Sequence, residues 1–177
     1  MPRIRVKRTY LELPDRAAFR APTRPAPPGA CLERIDPCPV ATYRALYQAV
    51  GERWHWRDQH ARPDAEIQAH LDDPRVSEWG LRAPGLGSPA SLGYAGWVEL
   101  VARDADAVEI QYFGLVPDAI GQGLGGFLLA SAVERAWAMG ADRVILNTCT
   151  LDAPQALPNY QARGFREVRE EWYEAEV

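Results

Sequence analysis

No apolar run in the chain approaches the ~20 residues that a membrane-spanning helix needs. The N-terminal stretch MPRIRVKRTYLEL is basic but lacks the apolar centre of a signal segment. Cysteine is scarce: Cys31, Cys38 and Cys149 are an odd number, and no C-x-x-C pair occurs. The three histidines, His55, His60 and His70, are not spaced with them as a zinc site, so no metal is implied. Reduced thiols in a cytoplasmic protein are the expectation. Excess positive charge is missing too. With 20 Lys and Arg against 24 Asp and Glu, the net charge is −4, which argues against a broad electrostatic grip on nucleic acid. There are no repeats and no low-complexity tail.

What is present suits one domain. The chain has 177 residues, 47% apolar and 25% charged, an ordinary globular balance with enough length for a sizeable core. Residues 3–13 alternate and are rich in β-formers, which predicts a strand. Seven prolines between residues 14 and 39 enforce extended loop, with room for a short strand at Cys31–Ile35. Val40, Tyr43, Leu46, Tyr47 and Val50 are spaced for a helix stopped by Gly51. ERWHWRDQHARP is a loop with two tryptophans, after which Asp64 caps a short helix reaching about Leu71. VSEWGLRA, SLGYAGWVELV and AVEIQYFGLV read as strands. A helix over 123–139, the buried strand DRVILNTCT, a short helix in PQALPNYQARG and a last strand complete the chain. The fold class is mixed α/β with a central sheet.

The informative stretch is GLVPDAIGQGLGGFLL, residues 114–129. Glycines between a strand and a helix let backbone approach a ligand, and the N–H groups there favour an anion. Gly121, Gly123 and Gly126 fit a dinucleotide fingerprint, but its context does not. That motif opens a doubly wound sheet, and too little chain follows Gly126 for one. The preceding strand carries Glu109, Gln111 and Tyr112, unlike a fully buried parallel strand. The absence of Gly-Lys-Ser/Thr excludes a P-loop.

The same stretch, followed by a helix, a strand and ALPNYQARGF, resembles the GNAT superfamily of acyl-CoA-dependent N-acetyltransferases. The likeness is close over residues 91–166 and looser over 31–73. The family motif Gln/Arg-x-x-Gly-x-Gly/Ala falls on Ile120-Gly121-Gln122-Gly123-Leu124-Gly125, with Ile120 where a polar residue is usual. Tyr160 and Gly164-Phe165 match the second motif. The resemblance implies a twisted central sheet flanked by helices, with a splayed parallel strand pair that binds acetyl-CoA. The backbone of Ile120 to Gly126 would hold the pyrophosphate. Phe113, Leu115 and Val116 would pair with the pantetheine arm, and Gly114 would mark the bulge that splays the strand.

The resemblance also suggests the chemistry. Glu109, at the spacing used by members with a strand glutamate, is either the base or an outward residue in a salt bridge. Tyr160 is either the acid at the sulfur or a packed core tyrosine. Trp54 and Trp56 either wall an acceptor pocket or cap the core, and Asp58 could hold an acceptor's charge. Asn147 and Thr148 are placed to face the acceptor. The expected activity is acetyl transfer to a primary amine of a small molecule by direct attack. Acetylation of a protein N-terminus or lysine, and a non-catalytic CoA sensor, are the alternatives. The family usually ends with two strands after Gly-Phe, whereas this chain has length for one. Either the N-terminal strand or a strand of a homodimeric partner must then complete the sheet.

Overall fold

Residues Arg3–Leu13 form β1, which buries Thr9, Leu11 and Leu13 at alternate positions and Val6 outside that alternation. The computed structural model describes residues 3–176. The chain continues through an extended proline-rich segment to β2 (Cys31–Arg34), α1 (Val40–Gly51), α2 (Asp64–Leu71) and β3 (Val76–Arg82). It closes with β4 (Gly96–Ala102), β5 (Ala107–Leu115), α3 (Gly125–Ala138), β6 (Arg143–Cys149), α4 (Ala156–Ala162) and β7 (Arg166–Glu176). Among the described residues no helix is long and apolar enough to cross a membrane.

The seven strands make one sheet in the order β2-β3-β4-β5-β6-β1-β7. All neighbours are antiparallel except β5 and β6. The sheet is completed by this chain's own N-terminal strand, which lies between β6 and β7. Leu13 is in register with Val144 on one side, and Arg3 with Glu176 on the other. Lys7–Glu170 at 2.9 Å and Arg3–Glu176 at 3.3 Å line the β1–β7 seam. Such exposed pairs contribute little each. The charged outer strand REVREEWYEAE instead discourages edge-to-edge pairing.

Helices cover both faces. On α1, Tyr43, Leu46, Tyr47 and Val50 are buried at i, i+3, i+4 and i+7. Tyr43 meets Trp97 of β4 edge-on at 5.4 Å, and Trp97 stacks on Tyr112 of β5 at 5.4 Å. On the opposite face α3 buries Leu128, Leu129, Ala132, Val133 and Ala136, and Tyr160 of α4 packs on Phe113 at 5.9 Å.

Three local expectations are corrected. The irregularity in the β4–β5 ladder lies between Glu99 and Leu100, opposite Ile110 and Tyr112, so the extra residue is Gln111 and not Gly114. This bulge reverses the alternation and turns Tyr112 onto the α1 face beside Glu99 and Trp97. Gly114 serves close approach: a Cβ there would stand 2.5 Å from Val50 Cγ1. Gly51 ends α1 but does not stop the helical turning. The turn runs on to His55, at φ 60°, while the indole of Trp56 fills the space beside Gly51. Asp64 makes no cap, and its carboxylate pairs with Arg44 at 2.6 Å.

Because β1 supplies both neighbours of the β6–β1–β7 half, a chain lacking residues 1–13 is expected to yield no soluble folded protein. Far-ultraviolet circular dichroism and a melting curve on the truncated chain check this. A native spectrum with an unchanged Tm would show that β7 can close on β6 unaided.

Candidate active site

The parallel pairing of β5 and β6 lasts three residues: Ala107 with Arg143, Val108 with Val144 and Glu109 with Ile145. Beyond that register the strands part. An antiparallel ladder uses the backbone groups of alternate residues. Val116 N–H is donated to the Ala95 carbonyl at 3.0 Å, toward β4. The groups of Phe113 and Leu115 therefore face the opening gap, and Val116 is removed from the expected set of free donors. A parted parallel pair leaves a slot whose walls can hydrogen-bond an extended amide chain.

Where β5 ends, the loop turns through Gly121 (φ 79°) and Gly123 (φ 77°), both in the left-handed region. A Cβ at either would meet nothing within 4 Å, so the glycines are needed for conformation and leave open space above the loop. Within the described residues no backbone carbonyl accepts from the N–H groups of Gly121, Gln122, Gly123 or Leu124. The helix expected from Gly123 starts at Gly125, which adds its own free N–H groups and positive end.

The proline-rich segment returns over this loop. A cleft lies between Pro22, Thr23, Arg24 and Pro25 on one side and Gly123, Gly125, Gly126 and Phe127 on the other, with Arg163 at its edge. Nε and Nη1 of Arg163 are buried without a partner. An unpaired guanidinium beside bare amides is costly unless an anion arrives. Neither Arg24 nor Arg163 was legible as a site residue. One lies in a loop without periodicity, and the other is the residue that closes α4.

Tyr160 is buried between Phe113 and Phe165, with ring centroids at 5.9 and 6.1 Å. Burial, and then the charge of Asp152, pushes its phenol above the ordinary value, so it keeps its proton at neutral pH. Glu109 stands where the two strands part and binds Arg103 Nε at 2.7 Å, with Arg103 also reaching Gln111. Its side chain is 17% exposed. At about 3.4 Å per residue, Glu109 is on the order of 14 Å along β5 from Phe113. The structure thus places Glu109 and Tyr160 on one strand's path but not in contact.

The tryptophan loop resolves into two roles. Trp56 packs against Tyr47 at 5.6 Å and Tyr112 at 5.2 Å, while Trp54 lies beneath the guanidinium of its neighbour Arg53 at 5.4 Å. Asp58 sits in an exposed loop, yet its carboxylate turns inward. Tyr47 donates to it at 2.5 Å, Gln59 Nε2 at 2.9 Å, and Tyr112 through a short bond. Burial alone would raise this carboxyl, but the three donors outweigh it and hold it below the usual carboxylate range. Asp58 is therefore committed to locking the loop onto α1 and β5. Asn147 is exposed, but Thr148 faces the other side of the sheet. Thr148 is buried and donates to Asp152 at 2.6 Å, so the two cannot line one surface.

Comparison with known proteins follows the same lines. The model of the acetyltransferase (GNAT) family matches residues 43–165. A mycothiol acetyltransferase of Corynebacterium aurimucosum is 30% identical over 171 residues, covering 85% of this chain and 52% of that protein. A GCN5-related N-acetyltransferase structure from Sphaerobacter thermophilus superposes with TM-score 0.66 at 18% identity, over 96% of this chain and 51% of the other. A tandem GNAT protein from the clavulanic acid biosynthesis pathway gives TM-score 0.62 at 15% identity, over 96% of this chain and 53% of the other. The chain spans about half the length of these relatives.

The Asp58 network predicts a specific pH dependence. A carboxyl whose folded pKa is depressed stabilises the fold above its unfolded value and loses that contribution as pH falls through the folded one. Asp58→Asn should cost roughly 1 kcal/mol at pH 7, kept small by the loop's contact with water. The difference from the parent should shrink steadily below about pH 4. Urea unfolding of both proteins across that range checks it, and a pH-independent gap would remove Asp58 as the locking charge.

Proposed function

The chain belongs to the acetyltransferase (GNAT) family, and we propose that it moves the acetyl group of acetyl-CoA to a primary amine of a small molecule. The observation that carries this reading is the juxtaposition of the parted β5–β6 pair with a glycine loop whose amides are bare. The loop and Arg163 suit a pyrophosphate, and the edges of Phe113 and Leu115 suit a pantetheine arm. Ile120 offers no polar side chain, so the cradle is made by backbone and by Arg24 and Arg163. The small-molecule part of the reading draws on the corynebacterial relative, which is named for mycothiol, and on the aromatic wall at Trp56.

Bound acetyl-CoA supplies a thioester. An N–H of Phe113 or Leu115 holds the carbonyl oxygen as it gains charge when the amine attacks. Glu109 takes the ammonium proton, directly or through water, and its distance along β5 from Phe113 favours the water. Tyr160, kept protonated by burial, delivers a proton to the departing sulfur. Trp54, Trp56 and Asn147 border the acceptor side, with Asp58 behind them fixing the loop.

Acetyl-CoA, and not NAD, should raise the Tm. Free-thiol release over a panel of amines should then find a substrate. Glu109→Gln should lower kcat/KM about a hundredfold and shift the pH profile; an unmoved profile removes Glu109 as base. Arg163→Met should raise KM for acetyl-CoA about tenfold while leaving the Tm of the free protein unchanged or higher, since an unpaired buried charge is lost. Binding of acetyl-CoA without turnover on any amine would favour a sensor.

A further inference from the structure

Away from the gap, three ligand-bearing side chains meet between α2 and the sheet. Glu78 and Glu99 are directly opposite each other on β3 and β4, so both leave the same face. Glu99 is fully buried and Glu78 is 3% exposed. His70, in the last turn of α2, reaches down to place Nε2 2.9 Å from Glu99 Oε2. Trp97 Nε1 donates to Glu78 Oε2 at 2.7 Å. One ligand atom from each of His70, Glu78 and Glu99 lies within 4.8 Å of the others.

Nothing in the acetyl-transfer reading uses this cluster, and the protein's own atoms leave it incomplete. Oε1 of Glu78 and Oε1 of Glu99 are buried without partners. So is the hydroxyl of Tyr43, a residue 1% exposed whose ring lies 6.4 Å from that of His70. Two buried carboxylates facing each other cost several kcal/mol each unless an opposing charge is present. Two bare carboxylate oxygens beside an imidazole nitrogen point to a positive ligand.

We propose that His70, Glu78 and Glu99 bind one divalent transition-metal ion, with zinc the best fit, and that the site fastens α2 to β3 and β4. Imidazole and carboxylate are suited to zinc, and three protein ligands with a fourth position for water make a tetrahedron. Ligands at about 2.0–2.2 Å from a tetrahedral ion stand roughly 3.3–3.6 Å apart. The present separations reach that by side-chain shifts on the order of 1 Å. Trp97 then acts as the outer partner that orients Glu78. His70 is 25% exposed at its side chain and gives the ion its way in. The ion takes no part in acetyl transfer.

A proton shared by the two carboxylates is the competing occupant, and the experiment separates them. Tag-free protein is stripped with a chelator, desalted and titrated with Zn²⁺, with metal content measured by mass spectrometry and stability by a melting curve. One zinc per chain and a Tm rise of roughly 5 °C at a hundredfold excess over Kd are expected. The Co²⁺ form should show the visible bands of a four-coordinate ion. Glu78→Gln, Glu99→Gln and His70→Gln, which keep shape and hydrogen bonding, should each abolish the stoichiometric metal and the Tm rise. Substoichiometric zinc with an unmoved Tm in the parent would overturn the site in favour of a shared proton. A Tm rise that survives in all three variants would overturn it in favour of a metal elsewhere. Because no readout is acetyl transfer, either failure leaves the proposed function standing.

Discussion

Beyond Glu109 and Ile145 the parallel strands β5 and β6 stop bonding, and the working surface of the molecule is organised around the backbone this leaves bare. Unpaired amides and carbonyls inside a domain are costly unless water or a ligand reaches them. The fold keeps the gap open from both faces. Tyr160 and Phe113 brace it on the α4 side, and α1 presses Val50 against Gly114 on the other. The glycine loop then continues the bare backbone to the N-terminus of α3, so that free amides of one strand and one helix lie along one continuous path.

The bulge at Gln111 is the second constraint. It moves Tyr112 to the α1 face, where its hydroxyl meets Asp58 and its ring meets Trp97 and Trp56. Without that reversal the tryptophan loop would have no anchor in the sheet. The same face holds Trp97, which donates to Glu78, so the tryptophan loop and the buried His70–Glu78–Glu99 cluster share one aromatic layer. Packing at this density transmits displacement, because tightly fitted rings cannot shift independently. The loop, the sheet and α2 are thus mechanically one unit.

Much of this was legible beforehand. The strand over 3–13, the helix over Val40–Val50, the glycine loop and the closing ALPNYQARGF all followed from period and from turn residues, which are local properties. The failures have a common cause. Gly114 and Gly51 carry no side chain to declare what occupies the space beside them, and Val50 and Trp56 come from elsewhere in the chain. Asp64 has the chemistry of a cap but finds Arg44. Thr148 and Asn147 are neighbours in sequence and opposites in space, as strand geometry requires.

The sequence alone determined the fold class and the placing of the glycine loop between a strand and a helix, because hydrophobic period and glycine placement act over a few residues. Resemblance to the family's motifs added Glu109 and Tyr160 as candidates. Tertiary structure decided which backbone groups stay free, which carboxylates are already spent and which buried atoms lack partners. Arg24, Arg163, His70, Glu78 and Glu99 gain meaning only there. Each is brought to its neighbours by strand pairing and helix packing between distant segments, and no local pattern encodes that closeness.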